Sequence, residues 1–214
     1  MTTIAVIGVT GYAGGHIATE ALRRGYDVIG VSRSSVAPAQ PGLTLRPGSI
    51  SDEQFIREIA EQASVIVVAT HASENDESYL AAVVPSLLKA ASDFGTRLGF
   101  VGGAGSLLVS STGPRLVDTP AFPEMFKLEA ESHAQVLEAL RTSDSPADWF
   151  YVSPAAGFGG YAPGERTGSF RIGGDVLLAD AEGNSFVSGE DFAIAFVDEI
   201  DTPVHHCERF SVAY

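Results

Sequence analysis

Hydrophobic and polar positions along the 214-residue chain follow two alternating patterns. Residues 4–7 are continuously apolar, which predicts a strand buried on both faces. In residues 12–24 the apolar positions recur at helical spacing, which predicts an amphipathic helix, and Gly25 follows at a position that commonly ends one. The chain therefore opens with a strand, a short turn and a helix.

The same alternation continues to about residue 152. Further strands are predicted at residues 27–31, 43–45, 65–69, 98–101 and 149–152. The sequence Ser51-Asp-Glu-Gln54 has the form of a capping box and predicts a helix through Ala60, and residues 123–141 predict another. Apolar strands alternating with helices favour a parallel sheet covered on both faces. With right-handed crossovers, the prediction is α/β: a doubly wound parallel-sheet Rossmann fold.

After residue 152 glycine becomes frequent and the pattern changes. Residues 155–168 predict a loop, and residues 169–179 predict a hairpin with its turn at Gly173-Gly174. The chain then returns to a helix, from Ser188 or Gly189 to about residue 199, and to a strand at residues 209–213. We expect a single domain over residues 1–214, in which residues 155–188 form a small C-terminal substrate lobe.

Charge and composition exclude several classes of partner. The net charge is −14 with 13 lysine and arginine residues, which argues against a nucleic-acid surface because phosphate contacts need clustered basic side chains. The single cysteine, Cys207, excludes an internal disulfide and a cysteine-cluster metal site. Neither a signal peptide nor a membrane span is predicted, so we expect the protein in the cytoplasm, without a membrane partner.

The turn between the first strand and the first helix contains Gly8, Gly11 and Gly14. In a nucleotide site, Gly8 would permit the tight turn, Gly11 would let the backbone approach a pyrophosphate, and Gly14 would let the helix pack closely on the sheet. The alternative is a glycine-rich turn that binds nothing. The position after a strand and before a helix favours the nucleotide site.

The end of the second strand bears on which dinucleotide binds. NAD sites usually carry an acidic residue there, but the chain has no Asp or Glu between Asp27 and Asp52. It has Ser32-Arg33-Ser34-Ser35 instead, and a guanidinium flanked by hydroxyls suits a 2′-phosphate. We therefore expect NADP(H) in preference to NAD(H). The alternative is that Arg33 is a solvated loop residue.

The N-terminal stretch, with its GxxGxxG pattern, resembles the atypical short-chain dehydrogenase/reductase superfamily. Residues 100–107 (FVGGAGSL), 116–127 (LVDTPAFPEMFK), 151–158 (YVSPAAGF) and 163–201 make the resemblance more specific. These stretches are similar to the NADH-flavin reductase group, relatives of biliverdin reductase B and of the NmrA-like NADPH sensors. The resemblance covers essentially the whole chain.

The resemblance implies a set of cofactor-binding residues. Those expected at the diphosphate are Gly8, Thr10, Gly11, Tyr12, Ala13 and Gly14. Arg33, beside Ser32, is expected at the ribose phosphate, while Ser49 stands where relatives have an adenine-contacting Asp. The residues expected along the central and nicotinamide portions are Ala69, Thr70, His71, Gly102, Gly103, Ser153, Pro154 and Ala155. All follow the carboxyl ends of predicted strands, where open α/β sheets bind ligands.

The catalytic tyrosine–lysine pair of ordinary short-chain dehydrogenases is missing. The chain has two lysines, Lys89 and Lys127, and the residue four positions before each is a proline. Carbonyl reduction through a Tyr-x-x-x-Lys pair is therefore not expected. Hydride transfer to a flavin asks mainly for positioning. We predict an NAD(P)H-dependent reductase of a flavin or another small planar acceptor (a quinone or a tetrapyrrole), with flavin as substrate and with the protein monomeric or homodimeric. The alternative is a non-catalytic NADP(H)-sensing regulator of the NmrA-like type. A third, less favoured alternative is an epimerase- or dehydratase-like enzyme, against which the missing tyrosine–lysine pair counts.

Three polar side chains are predicted to assist catalysis, each with a structural alternative. Ser106 can bond the substrate or act as a turn serine, Lys127 can contact ribose or an acidic group or lie on the surface, and His71 can donate to a phosphate or the substrate. His133 is expected to be a solvated helix histidine. The pair His205-His206 is not expected to bind a metal.

Aromatic side chains in the predicted lobe are also candidates. Phe158 and Tyr161 can stack on a planar substrate or pin the loop to its own domain, and the sequence leaves both roles open. Ser188 and Asp191 are predicted to cap the late helix rather than to act in catalysis.

Overall fold

The computed structural model describes residues 2–33, 41–75 and 78–214. Within these ranges the strands are β1 (Thr3–Ile7), β2 (Asp27–Ser32), β3 (Leu43–Pro47), β4 (Val65–Val68), β5 (Arg97–Val101), β6 (Trp149–Ser153), β7 (Arg171–Gly173) and β8 (Glu208–Ala213). The helices are α1 (Tyr12–Arg23), α2 (Glu53–Gln62), α3 (Tyr79–Phe94), α4 (Lys127–Arg141) and α5 (Gly189–Asp201). Short 3₁₀ turns at Leu116–Asp118 and Glu124–Phe126 precede α4.

The strands of the described chain form one sheet in the order β3-β2-β1-β4-β5-β6-β8-β7. Neighbouring strands are parallel except for β7 and β8. The chain first runs outwards from β1 through β2 to β3, and then returns to place β4 on the other side of β1. The carboxyl ends of β1 and β4 therefore flank a topological switch point, where open α/β sheets bind ligands.

Two apolar clusters hold the layers together. Helices α1 and α5 cover one face of the sheet, where Ile4 packs with Ile17, and α2, α3 and α4 cover the other, where Ala5 packs in the cluster of Ile59 and Val136. Ile4 and Ala5 are neighbours in β1, so the alternation of a strand sends one to each face. Burial of each large aliphatic side chain stabilises the fold by about 1.5–3 kcal/mol. The predicted doubly wound α/β fold is confirmed.

The start of α2 differs from the prediction by one residue. The N-cap is Asp52 and not Ser51, because Asp52 Oδ1 accepts a hydrogen bond from the backbone N–H of Phe55 at 3.0 Å. An anionic cap also suits the positive end of the helix dipole. The helix itself is confirmed, and it runs on to Gln62.

The predicted hairpin around Gly173-Gly174 is wrong. Strand β7 pairs antiparallel with β8, with Ile172 opposite Val212, and residues 175–179 form no strand. Val176 makes only an isolated bridge to Leu108. Strand β8 is largely buried and already paired with β6, so it offers β7 a supported sheet edge. Isolated two-strand hairpins, in contrast, are marginally stable.

Candidate functional site

The glycines after β1 are required by close packing. Gly8 has φ +91°, which favours glycine, and a Cβ built on Gly8 would overlap the carbonyl of Ala69 at the end of β4. A Cβ built on Gly14 would overlap the carbonyl oxygen of Gly8. The turn is fixed by hydrogen bonds from Gly8 N–H to Val31 O at 2.8 Å and from Gly11 N–H to Gly8 O at 2.9 Å. These contacts bring the start of α1 onto the switch point.

The first turn of α1 presents free donors at this point. Gly11 is the N-cap and has no side-chain cap, and the first turn contains no acidic residue. In the described part of the chain, the N–H groups of Tyr12, Ala13 and Gly14 donate no backbone hydrogen bond. Thr70 Oγ1, which lies beside Gly8, is buried and has no partner there. A helix N-terminus with free amides and no competing carboxylate fits the diphosphate of a dinucleotide.

The other predicted residues lie along the same edge of the sheet. β1, β4, β5 and β6 are consecutive neighbours, so the residues at their carboxyl ends form a row, namely Gly8, Ala69, Thr70, His71, Gly102, Gly103, Ser153, Pro154 and Ala155. The Oγ of Ser153 is buried without a partner among the described residues. A row over four strands is about 14 Å long, which matches an extended ligand rather than a single phosphate.

Arg33 lies at the end of β2 and faces a carboxylate that the sequence analysis did not consider. Its Nη1 is 2.5 Å from Oε1 of Glu74, which follows β4. The pair is exposed, with 79% of the Arg33 side chain accessible. Ser34 and Ser35 lie outside the described residues. No local pattern marks Glu74, because it reaches Arg33 only across the sheet.

Ser32 and Ser49 lie together at the end of this edge. Ser32 pairs with Pro47, and its carbonyl accepts a hydrogen bond from Gly48 N–H at 3.1 Å. Ser49 Oγ accepts one from Ser51 N–H at 3.2 Å. Both serines therefore adjoin Arg33 at the β2–β3 end of the row.

The side chain of Tyr12 binds the segment after β6, residues 155–188, which we call the late segment. Its hydroxyl donates to Pro163 O at 3.1 Å and accepts from Gly189 N–H at 3.0 Å. Its ring packs edge-on against His16 and Phe158. Burial raises the pKa of the Tyr12 phenol above its ordinary value. The backbone N–H of Tyr12 remains free for a ligand, whereas its side chain links α1 to the predicted lobe.

Two histidines share one carboxylate beside the ends of β4 and β5. Glu129, in the first turn of α4, lies 3.3 Å from His71 Nδ1 and 3.2 Å from His133 Nε2. Burial alone would raise the pKa of Glu129, but hydrogen bonds from the two histidines hold it far below its ordinary value. The hydrogen bond to Glu129 raises the pKa of His71. Glu129 was missed by the sequence analysis because nothing in a helical Glu marks a partner elsewhere in the chain.

His133 is buried, so the expectation of a solvated histidine was wrong. It packs against Gly103, and its Nδ1 has no partner among the described residues. Tyr151 links the backbone of His133 to Gly103, because the Tyr151 hydroxyl donates to His133 O at 3.1 Å and accepts from Gly103 N–H at 3.3 Å. Burial raises the pKa of Tyr151.

The other two predicted catalytic residues have structural partners. Ser106 Oγ accepts a hydrogen bond from Arg209 Nη1 at 2.8 Å, and Arg209 is buried and also paired with Asp175. Lys127 Nζ lies 2.6 Å from Glu124 Oε2 in a surface pair. In the described part of the chain, neither side chain hydrogen-bonds to His71, Glu129 or His133.

The aromatic residues of the late segment divide between the two roles. Phe158 packs on Phe192 of α5, with ring centroids 4.6 Å apart, so it pins the loop. Tyr161 is exposed and stacks on Phe126, with centroids 6.1 Å apart and an interplanar angle of 20°. The ring of Tyr161 therefore lies at the surface of the molecule, against Phe126.

The adjacent histidines are far from a metal-binding arrangement. His205 Nδ1 lies 2.7 Å from Glu199 and His206 Nδ1 lies 2.9 Å from Asp148. They lie in the loop that precedes β8. Among the described residues, no group of three or more His, Cys, Asp or Glu is placed to hold a metal ion. Across the same residues, no helix combines the length and the apolar character that crossing a membrane requires.

Known proteins share this fold and sequence over the full length of the chain. A solved structure from Burkholderia pseudomallei, named a candidate exported protein, is 38% identical with a TM-score of 0.87, covering 100% of both chains. A Streptococcus pneumoniae structure, named a candidate NADH-flavin reductase, is 32% identical with a TM-score of 0.87, covering 100% of this chain and 99% of the other. A Bacteroides thetaiotaomicron structure, named a candidate epimerase, is 32% identical with a TM-score of 0.88, covering 100% and 97%.

The sequence profile of the NAD(P)H-binding family matches residues 8–203, from the first glycine of the cradle to the residues that precede β8. This range contains α1, the strand ends of the row and the late segment. The chain belongs to the NAD(P)H-binding family of Rossmann-like α/β proteins, whose relatives include oxidoreductase-like members.

Proposed function

We propose that this protein passes hydride from NAD(P)H, with NADPH preferred, to a flavin or a similar planar acceptor. The observation that carries the proposal is the row of residues at the carboxyl ends of β1, β4, β5 and β6. The row begins at the free amides of α1 and ends beside β5 and β6. In this proposal the amides hold the diphosphate, and the reactive end of the dinucleotide then points towards Gly102, Gly103 and Ser153. The likeness to the Streptococcus protein supports the choice of acceptor.

The hydride step asks little of acid–base side chains. The bound reduced dinucleotide supplies a hydride, and the protein's contribution is to hold donor and acceptor in contact and exclude water. Lys89 lies in α3 and Lys127 in α4, and neither lysine has a tyrosine four positions before it. A Tyr-x-x-x-Lys pair therefore takes no part in the proposed reaction.

The cofactor assignment for the remaining residues follows from their place on the edge. We assign Arg33, with Ser32 and Ser49, to the phosphate-bearing ribose and the adenosine portion, and Thr70 to the centre of the dinucleotide. NAD(H) can occupy the same cradle without the contact to Arg33. Ser106 and Lys127 stay predicted helpers in catalysis.

The late segment completes the proposed site. Residues 155–188 are held by Tyr12 and Phe158 against α1 and α5, beside the ends of β1 and β6. We propose that they form a lobe over the planar acceptor, with Tyr161 as the stacking residue. A single domain, a monomeric or homodimeric state and a cytoplasmic location remain our predictions, and one relative is named an exported protein.

The experiment is a turnover assay on purified protein. NADPH oxidation is followed by absorbance with FMN, riboflavin, a quinone and a tetrapyrrole as acceptors, each against a reaction without protein. We expect acceleration with at least one acceptor and a weaker response with NADH. Measurable NADPH affinity without acceleration for any acceptor would contradict the reductase and favour an NADP(H)-sensing regulator, whereas absence of binding to both dinucleotides would contradict both.

A further inference from the structure

We propose that His71 delivers the proton that accompanies hydride transfer, and that Glu129 is the positioning residue that orients its imidazole. The proposal rests on the proposed reductase function. It assigns to Glu129, in a helix outside the predicted cofactor row, a role in the reaction. The geometry of the carboxylate and its donors carries the argument.

Glu129 is held by donors from two elements. Its Oε1 accepts from Ala72 N–H at 2.8 Å, and its Oε2 accepts from Ser73 N–H at 3.0 Å and from Ser73 Oγ at 2.5 Å. His133 Nε2 adds a contact at 3.2 Å from its own helix. Every one of these partners can donate, and a protonated carboxyl would direct a hydrogen against them. The site therefore favours the anion, which lies in a fixed place beside His71.

The orientation of His71 follows from the same contact. With Nδ1 at 3.3 Å from Glu129 Oε1, the Nδ1 hydrogen is directed to the carboxylate, and Nε2 is the outward atom. Nε2 makes no hydrogen bond within the described part of the chain, and 89% of the side chain is accessible. His71 follows β4, next to the end of β5, where the row reaches the proposed acceptor. A protonated His71 in this place presents its Nε2–H to an acceptor bound along the row of strand ends.

The reaction needs one such proton. Two-electron reduction of a planar acceptor adds a hydride and then a proton, so the acceptor gains two hydrogens in total. The reduced dinucleotide supplies the hydride with its electron pair. The N–H bond at His71 Nε2 breaks as the proton passes to the anionic acceptor, and the neutral imidazole then regains a proton from water. A histidine near its own pKa suits this exchange at neutral pH.

Within the described residues, three titratable side chains face Glu129. Glu129 faces His71 from the loop after β4, His133 on its own helix, and the phenol of Tyr151 from β6, whose pKa burial raises. Among the described residues, no lysine or arginine pairs with Glu129. The charge of Glu129 is therefore shared between the two histidines, and removing it is expected to act directly on His71.

The first test is a titration that needs no turnover. Imidazole signals of the whole protein are followed by NMR against pH, and the His71 signal is identified from its loss in His71→Asn. We expect the pKa of His71 to lie above 6.5 and to fall towards 6.5 in Glu129→Gln. His206→Asn is the matched control, because His206 is also an exposed histidine beside a carboxylate but lies at the opposite edge of the sheet. A His71 pKa at or below 6.5 in the wild type would overturn the proposal.

The second test separates proton delivery from cofactor binding. With the acceptor that supports turnover, we expect kcat to be constant at low pH and to fall as pH rises through the pKa of His71. We expect His71→Asn to lose this fall and to lower kcat at neutral pH by about 10²-fold, a larger factor than the change in NADPH Kd measured on the same variant. Glu129→Gln should shift the fall to lower pH. A wild-type profile in His71→Asn would refute this inference alone, whereas no turnover by the wild type with any acceptor would refute the proposed function as well.

Discussion

At the scale of single residues, the neighbouring glycines Gly14 and Gly15 have different roles. Gly14 packs so closely that any side chain meets the Gly8 carbonyl, whereas a Cβ on Gly15 would lie 3.4 Å from Val9 O in ordinary contact. The spacing of the motif identifies Gly14 as special, and the structure shows which atom makes it so.

This difference gives a matched pair of variants. We expect Gly14→Ala to lower the free energy of unfolding by about 1–3 kcal/mol because helix and strand must separate, and to weaken NADPH binding. Gly15→Ala should be neutral or should stabilise by up to about 1 kcal/mol, because alanine favours the helix interior. Urea unfolding and calorimetric NADPH titration measure both. Equal effects of the two substitutions would contradict the assigned packing role of Gly14.

Arg33 allows a test of cofactor choice. We expect Arg33→Ala to weaken NADPH binding by about 1–3 kcal/mol and to leave NADH binding nearly unchanged, because only NADPH carries the 2′-phosphate. Arg57→Ala, which removes an exposed arginine paired with Asp93 on the outer helices, is the control. Equal losses for the two dinucleotides would show that Arg33 does not recognise the phosphate.

Glu74 is expected to compete with a 2′-phosphate for Arg33, because the two side chains form an ion pair. An exposed ion pair contributes about 0–1 kcal/mol, so a 2′-phosphate can displace the Glu74 carboxylate from Arg33 at small cost. Glu74→Gln should therefore tighten NADPH binding by no more than this amount, without an effect on NADH. Weaker NADPH binding in Glu74→Gln would mean that the carboxylate helps to place Arg33 instead. Isothermal titration at two salt concentrations distinguishes these results.

At the scale of elements, the start of α5 anchors the late segment. Ser188 Oγ accepts from Asp191 N–H, as predicted for a cap. The Asp191 carboxylate accepts from the N–H groups of Thr167 and Gly168, both at 2.8 Å, and the Tyr214 hydroxyl lies 2.6 Å away. Asp191 thus joins a helix, a loop and the chain end, which is more than the predicted capping role.

Removing this anchor should loosen the lobe and leave the cradle intact. We expect Asp191→Ala to speed hydrogen exchange at the amides of Thr167 and Gly168 and to raise the KM for the acceptor, with NADPH affinity unchanged. Glu182→Ala, an exposed acid in the same segment, should change neither quantity. A Kd for NADPH that rises as much as the acceptor KM would indicate that the segment supports the cofactor site directly.

At the scale of the whole molecule, hydrogen-bonded carboxylates, some buried and some partly exposed, set the response to pH. For each of them burial alone would raise the pKa, but hydrogen bonds hold it below its ordinary value in Glu20, Glu129, Asp175, Asp191 and Glu199. A lowered pKa in the folded state contributes stability above the unfolded pKa, and the contribution is lost as pH falls. His71 acts in the opposite sense, since its raised pKa contributes stability at low pH that is lost as pH rises.

Five carboxylates with a lowered pKa are expected to contribute more to the pH dependence of stability than one exposed histidine with a raised pKa. We therefore expect the free energy of unfolding, measured with urea from pH 7 to pH 3, to fall mainly below about pH 4.5, the ordinary range of the carboxyl groups. The net charge of −14 adds self-repulsion at neutral pH, so added salt should stabilise the protein at pH 7 more than at pH 5. Stability that is flat down to pH 3 would contradict the role of these carboxylates.

The sequence by itself determined the opening strand–turn–helix unit, the doubly wound sheet and the glycines of the first turn, but not helix α3. These features depend on periodicity and on the conformational needs of glycine, both of which act between residues close in the chain. Only tertiary structure decided the partner of Arg33, the burial of His133, the pairing of β7 and the hydrogen bond between Glu129 and His71. Each joins residues far apart in sequence, and a local pattern carries no information on which distant group completes a hydrogen bond or covers a sheet edge.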